Sequence, residues 1–404
     1  MNIKLHPILL VAVAAGMLSL PPAAAPAAAA AAYPSGQKRA REGRRLAERS
    51  RKASGVQWKA SARKQLAEGK QLQAKGLLNS ALYHYREAVR VEPNWAEAHD
   101  ALGTALDQKQ DLSGAMQEYL LAIRLDPDSA GAYYHLATLL RREGNLKGAV
   151  VEFQKSLDID PRNAEAHNDL GLTYALSGDL NQAIIQFQET IDWKPGWALA
   201  HDNFANALAL EGYLKRAIAE YRIAIALQPA WPEPHNNLGN TLRQQGDLAG
   251  AAKEFRQALK LNPNYAAAHN NLGLVLRLQG NLQGAIAQYR TALRLNPGYA
   301  GAHNNLASAF YQKHDWKGAS AEYGQVLRLK PNDATAYFNL GLTLAAAGNR
   351  QGAIKMLRRA HQLEPGNAQY VQAYQNMVKG AGSSSPSPSA PPQSSSESSA
   401  NKSK

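Results

Sequence analysis

The sequence predicts an all-α solenoid built from nine 34-residue helix-turn-helix units and closed by a C-terminal capping helix. Three observations predict it. Pro93, Pro127, Pro161, Pro195, Pro229, Pro263, Pro297, Pro331 and Pro365 follow one another at a constant step of 34 residues. With each proline counted as position 32 of a unit, position 20 is alanine in all nine units, from Ala81 to Ala353. Position 8 is always Gly or Ala, and position 24 is Tyr or Phe in eight units, with Leu357 in the last. Self-similarity at a fixed period of this length is the signature of a repeat array.

The elements follow in order along the chain. Residues 1–35 open with Lys4, run through an apolar stretch from Ile8 to Leu20, and continue into a Pro/Ala-rich segment in which Ala23 and Ala25 form an A-x-A pattern. The apolar run is too short for an ordinary membrane span and reads as an export signal. That reading places the protein in the periplasm, the cell envelope or outside the cell, with an uncleaved N-terminal anchor as the alternative. Residues 36–61 form a basic linker or helix. Between Lys38 and Lys64 eleven Lys or Arg stand against Glu42 and Glu48, so most of the formal net charge of +13 is local. A solvated charge run is the plain reading. Weak contact with anionic lipid or another polyanion through residues 38–64 is the sharper one, with Trp58 near the headgroups. The segment lacks the interleaved aromatics of a nucleic-acid platform, so no specific nucleic-acid partner is expected.

The nine units span 62–95, 96–129, 130–163, 164–197, 198–231, 232–265, 266–299, 300–333 and 334–367. Positions 4, 7, 8 and 11 share one face of a first helix, and positions 20, 24 and 27 share one face of a second. Small residues at 8 and 20 let the helices approach, and the aromatic at 24 fills the space between them. Position 15 is Gly in seven units, as in Gly144 and Gly246, which suits a left-handed helix end. Asp or Asn follows at position 16 in seven, as in Asn145 and Asp247, ready to cap the second helix. The proline ends that helix by pushing the preceding residue out of helical geometry.

On these positions the chain resembles the tetratricopeptide repeat family over residues 62–367, about three quarters of its length. The resemblance implies a right-handed α-solenoid whose first helices line a concave groove for protein or peptide ligands. Residues 368–379 then predict a short capping helix with Tyr370, Val371, Tyr374, Met377 and Val378 on one side. Residues 380–404 are Ser/Pro-rich and cannot bury a core, a composition of disordered segments.

A helical wheel places positions 2, 6, 9 and 13 opposite the buried stripe of the first helix, facing open space. Position 6 is asparagine in five successive units: Asn203, Asn237, Asn271, Asn305 and Asn339. An amide donates and accepts at once, so such a ladder can pair with a peptide backbone without reading side chains. Asn206 and Asn240 deepen the polar strip, Arg243 and Arg277 add positive charge, and Tyr311 offers a ring to stack on a ligand. The plain alternative is a soluble residue copied by duplication. The ladder resembles the asparagine-lined superhelix of O-linked N-acetylglucosamine transferases, which implies a peptide-holding role for those five residues. The sequence shows no region of the size of a transferase domain. Position 5 holds no lysine in any unit, which excludes a carboxylate clamp for chaperone tails.

The sequence carries no Gly-rich phosphate loop, nucleophile elbow or HExxH helix, and the absence of cysteine excludes thiolate chemistry. Histidine recurs at position 4 (His99, His167, His201, His235, His269, His303), but rings one repeat apart could scarcely share an ion that each must approach to about 2 Å. These histidines read as structural. Glu118, Glu152 and Glu220 read as solvated second-helix residues. The sequence therefore points to a non-enzymatic interaction scaffold with no cofactor or metal, or, alternatively, to a substrate-holding subunit of a glycosyl-transfer system with a separate catalytic chain. It does not set the oligomeric state.

Overall fold

The computed structural model describes residues 55–380, and among them every regular element is a helix. The expected export signal, residues 36–54 of the basic segment and the Ser/Pro-rich stretch after Gly380 lie outside the described residues. The chain divides into two compact units, 1–212 and 213–404, with the break at the turn inside the fifth repeat.

In the first unit the helices are α1 (Gly55–Ala74), α2 (Leu78–Val91), α3 (Ala96–Gln108), α4 (Leu112–Leu125), α5 (Ala130–Arg142), α6 (Leu146–Ile159), α7 (Ala164–Ser177), α8 (Leu180–Trp193) and α9 (Ala198–Leu210). The second holds α10 (Leu214–Leu227), α11 (Pro232–Gln245), α12 (Leu248–Leu261), α13 (Ala266–Leu278), α14 (Leu282–Leu295), α15 (Ala300–Gln312), α16 (Trp316–Leu329), α17 (Ala334–Ala346), α18 (Arg350–Leu363) and α19 (Ala368–Lys379). Helix α1 begins at Gly55, upstream of the 34-residue register that starts at 62.

Each hairpin is closed by the chemistry of its turn. Gly144, Gly178, Gly246 and Gly280 sit at φ +81 to +93°, where a Cβ would be strained. Gln110 and His314 hold the same conformation without being glycine, at φ 66° and 61°. The next residue caps the second helix: Asp111, Asn145, Asp179, Asp247, Asn281, Asp315 and Asn349 each accept from the backbone N–H three residues on.

The core of a hairpin is the aromatic of position 24 against the small residue of position 8. Phe153 and Tyr289 are fully buried, and a Cβ built on Gly273 would fall 2.6 Å from the Tyr289 ring. The helices of such a pair come together because no side chain stands between the first helix and the ring. Within each unit, second helices also pack on the first helix of the next repeat, and first helices touch one another (α3 on α5, α5 on α7, α11 on α13, α13 on α15).

At the C-terminal end α19 covers repeat 9. Tyr370 is buried and meets Phe338 with the rings tilted by 32° at 4.8 Å between centroids, with Tyr374 and Met377 packed alongside. Val378, expected on the same side, is 47% exposed. It lies on the last turn, where its backbone carbonyl meets Arg350 of repeat 9 while its side chain stays in solvent.

Candidate functional site

The candidate groove residues lie on the first helices, and the structure corrects where they point. Asn203, Asn305 and Asn339 are buried, at 5, 2 and 0% exposure. Asn206 and Arg277 are buried too, while Asn237, Asn240, Asn271, Arg243 and Tyr311 are half-buried. Position 6 therefore does not face open space. The wheel treats the first helix as having a single buried face, yet stacking gives it a second one, against the first helix of the neighbouring repeat.

That second face has its own register. Asn203 Nδ2 donates to Asn168 Oδ1 at 3.0 Å, Asn271 Nδ2 to Asn236 Oδ1 at 3.0 Å, and Asn305 Nδ2 to Asn270 Oδ1 at 2.9 Å. Each bond joins position 6 of one repeat to position 5 of the repeat before it, a separation of 35 rather than 34 residues. Within a repeat the position 5 amide passes the bond on: Asn236 Nδ2 to Asn237 Oδ1 at 3.4 Å and Asn270 Nδ2 to Asn271 Oδ1 at 3.3 Å. In the second unit this makes a continuous wire, Asn305 to Asn270 to Asn271 to Asn236 to Asn237. The ladder thus stitches repeats together before it can touch anything else.

In the first unit the same seam is charged. His135 Nδ1 lies 2.7 Å from Asp100 Oδ1, Tyr134 donates to Asp169 Oδ2 at 2.9 Å, and Arg142 grips Asp107. Asp169 also accepts from Asn168 at 3.3 Å, with the Arg141 guanidinium 3.8 Å away. Burial nonetheless pushes the Asp169 carboxyl above the ordinary carboxylate range, with Arg141 and the two hydrogen bonds opposing it. Burial likewise pushes the Tyr134 phenol up. Asn203 and Asn206 belong to this unit, and Asn206 Nδ2 donates to Asp202 in its own helix at 2.9 Å.

Tyr311 is taken up by a contact of its own. Its ring meets Trp316 edge-on at 5.0 Å, and His314 meets the same indole at 5.0 Å, which ties Tyr311 to the hairpin turn of repeat 8.

The position 4 histidines are staples. Nε2 donates to the carbonyl of the proline six residues back, as in His99 to Pro93 at 3.0 Å and His167 to Pro161 at 3.1 Å. Nδ1 meets position 23 of the same repeat's second helix: Glu118 for His99 at 2.6 Å, Glu254 for His235 at 2.7 Å, Glu322 for His303 at 2.6 Å, and Gln186 or Gln288 for His167 and His269. One ring so joins the incoming proline turn to both helices of the hairpin. Glu118 is accordingly part of a staple and not merely a solvated carboxylate, and Glu152 pairs with Lys155.

Sequence reasoning missed the seam because it compared like positions, 34 apart. Pairing position 5 of one repeat with position 6 of the next would have exposed complementary chemistry: Asp100 with His135, Tyr134 with Asp169, Asn236 with Asn271. It also passed over repeat 8, where His314 and Trp316 replace the Gly and Leu usual at positions 15 and 17.

Within each unit, hairpins that bury one face in the next, with polar side chains threading the seam, define a helical repeat scaffold. Family models place it more narrowly. Those described as "Tetratricopeptide repeat" match residues 66–130, 236–300, 334–367 and 164–196, and one described as "TPR repeat" matches 137–178 and 308–348. Together they cover more than half of the sequence, and the chain belongs to the tetratricopeptide repeat family.

Among solved structures, that of the "APC/C hetero-tetramer Cut9-Hcn1" is 18% identical, covering 78% of this chain and 76% of that one at a TM-score of 0.51, a likeness of fold. Shorter likenesses are to Pseudomonas aeruginosa pilF (25% identity, 55% of this chain and 98% of that one, TM-score 0.47) and to YrrB, described as "a TPR protein with an unusual peptide-binding site" (25%, 47% and 97%, TM-score 0.40). No curated protein matches the chain.

Proposed function

We propose that this chain is a non-enzymatic protein-interaction scaffold that holds an extended polypeptide along the first helices of repeats 6 to 9, in the cell envelope or outside the cell. The observation that carries the reading is the unfinished chemistry of the asparagine wire. A side-chain amide has two N–H groups and two acceptor lone pairs. In Asn271 the wire uses one N–H, toward Asn236, and one lone pair, from Asn270. One donor and one acceptor remain on a half-buried side chain, the pair that a peptide group needs. Asn237 and Asn240, half-buried on the neighbouring first helix, extend the strip, and Arg243 places a positive charge beside it.

Successive first helices lie about 10 Å apart, which matches about three residues of an extended strand at roughly 3.3 Å each. Where a polypeptide crosses the first helices of repeats 6 and 7, whose Asn237, Asn240 and Asn271 are half-buried, it meets a rung about every third residue through its backbone, so binding tolerates varied side chains. The buried Asn203 and Asn305 hold neighbouring repeats in register and contribute to the ligand only by rigidity, and Asn339 is fully buried in repeat 9. The Ile8–Leu20 segment supports export.

Site-specific photocrosslinking tests the surface. A photoreactive residue at Gln244, Leu278 or Gln312, on first helices, should capture a polypeptide partner, and one at Lys253 or Lys355, on second helices, should not. Capture confined to the second-helix positions would refute the reading.

A further inference from the structure

Repeats 8 and 9 break the pattern at the same place. Position 17, leucine in the first seven repeats, is Trp316 and then Arg350, and position 15 of repeat 8 is His314 in a left-handed conformation that glycine adopts more easily. Between the two hairpin turns lies an open cleft of about 500 Å³ lined by residues 314–317 and Ser320 of repeat 8 and by Leu344, Ala347 and Asn349 of repeat 9. Tyr311 braces the indole from behind, edge-on at 5.0 Å.

Arg350, directly after Asn349 in the chain, does something else. Its guanidinium donates to the carbonyls of Met377 at 2.9 Å and Val378 at 3.2 Å, the open C-terminal end of α19. Gly380, at φ 63°, ends that helix so close to Arg350 that a Cβ on it would fall 2.7 Å from the guanidinium. The chain therefore leaves the described fold beside Arg350, one residue from the wall of the cleft. Five residues beyond Gly380 the sequence runs Ser385-Pro386-Ser387-Pro388-Ser389-Ala390-Pro391-Pro392.

We propose that the cleft between the turns of repeats 8 and 9 is a docking groove for the chain's own proline-rich segment, residues 385–392. The reach is sufficient: six residues from Gly380 to Pro386 span up to about 20 Å. The chemistry matches. Proline-rich segments in the polyproline II conformation dock in grooves lined by aromatic side chains, because the rings bring apolar surface without a backbone N–H to satisfy and lose little entropy on binding. Trp316 and His314 supply the aromatic surface, Leu344 and Ala347 further apolar surface, and Asn349 and Ser320 the polar groups for the intervening serines. Tethering raises the effective concentration of the segment at the cleft into the millimolar range, so even a weak contact is filled. Docked there, the segment covers the half-buried indole of Trp316.

The test uses the full chain with Ser387→benzoylphenylalanine, crosslinked at low concentration in a mixture of isotopically light and heavy copies and mapped by mass spectrometry. The expected result is adducts within one chain to residues 314–320 and 344–349, with yield falling at least fivefold in a Trp316→Leu background. Leucine stands at this position in the first seven repeats, and unchanged helicity by circular dichroism verifies the fold. Adducts scattered over the array, adducts only between light and heavy chains, or a yield indifferent to Trp316→Leu would each overturn the proposal.

Discussion

The asparagine wire makes a prediction that single substitutions cannot imitate. Asn270 is 6% exposed and sits mid-wire, accepting from Asn305 and donating to Asn271. Asn270→Leu removes the acceptor of Asn305 Nδ2, in a residue that is itself only 2% exposed and whose Oδ1 already has no partner. Stranding a buried donor costs about 1–3 kcal/mol, and the lost bond to Asn271 adds about 0.5–1.5 kcal/mol. The single variant should therefore lose about 1.5–4.5 kcal/mol. Asn305→Leu strands the buried Asn270 carbonyl and should lose about 1–3 kcal/mol.

When both are leucine neither partner is stranded, and two apolar side chains of similar size meet across the seam. The double variant should then be more stable than the sum of the singles by about 1 kcal/mol or more. Because repeat arrays are stabilised largely by nearest-neighbour interfaces, the loss should concentrate at this one interface. Urea titration of the four proteins gives the cycle, and hydrogen exchange of the amides in α13 and α15 locates it. Additivity within about 0.5 kcal/mol would mean that the wire contributes no more than its isolated side chains, and would refute the reasoning.

Two further outcomes concern the first unit. Burial holds the Asp169 carboxyl above its ordinary range, so folding is favoured below the unfolded-state value and that advantage is lost as pH rises through the folded-state value. Asp169→Asn, which installs the residue that repeats 5 to 9 use at this position, should be more stable than wild type at pH 7, with the gap closing toward pH 4. A gap that widens in acid would contradict this. Gln110 holds a left-handed conformation at φ 66° without being glycine, and Gln110→Gly should add about 0.5–1 kcal/mol in thermal unfolding. A loss of stability would show that the side chain has a role beyond the turn.

The sequence made the hairpin legible because everything that closes it is local. Glycine at 15, Asp or Asn at 16 and proline at 32 act within a few bonds of where they stand. Alanine at 20 and the ring at 24 act inside their own 34 residues. Repetition nine times then separates these constraints from chance. The same locality made the position 4 histidines readable as structural, although their partners at position 23 were not foreseen.

The seam between repeats was not legible in the same way. A helical wheel describes a helix alone and assigns it one buried face, which puts Asn203, Asn305 and Asn339 in open space. Stacking gives the first helix a second buried face, and the offset between neighbouring first helices brings position 5 against position 6, 35 residues apart. The one-residue offset belongs to no single repeat, since it arises from how two of them pack. Sequence by itself determined that this chain is a tetratricopeptide array, because a repeated local pattern has few ways to fold. Tertiary structure decided that its asparagines first bind one another, because hydrogen-bonding groups drawn into a seam must find partners there before they can serve a ligand.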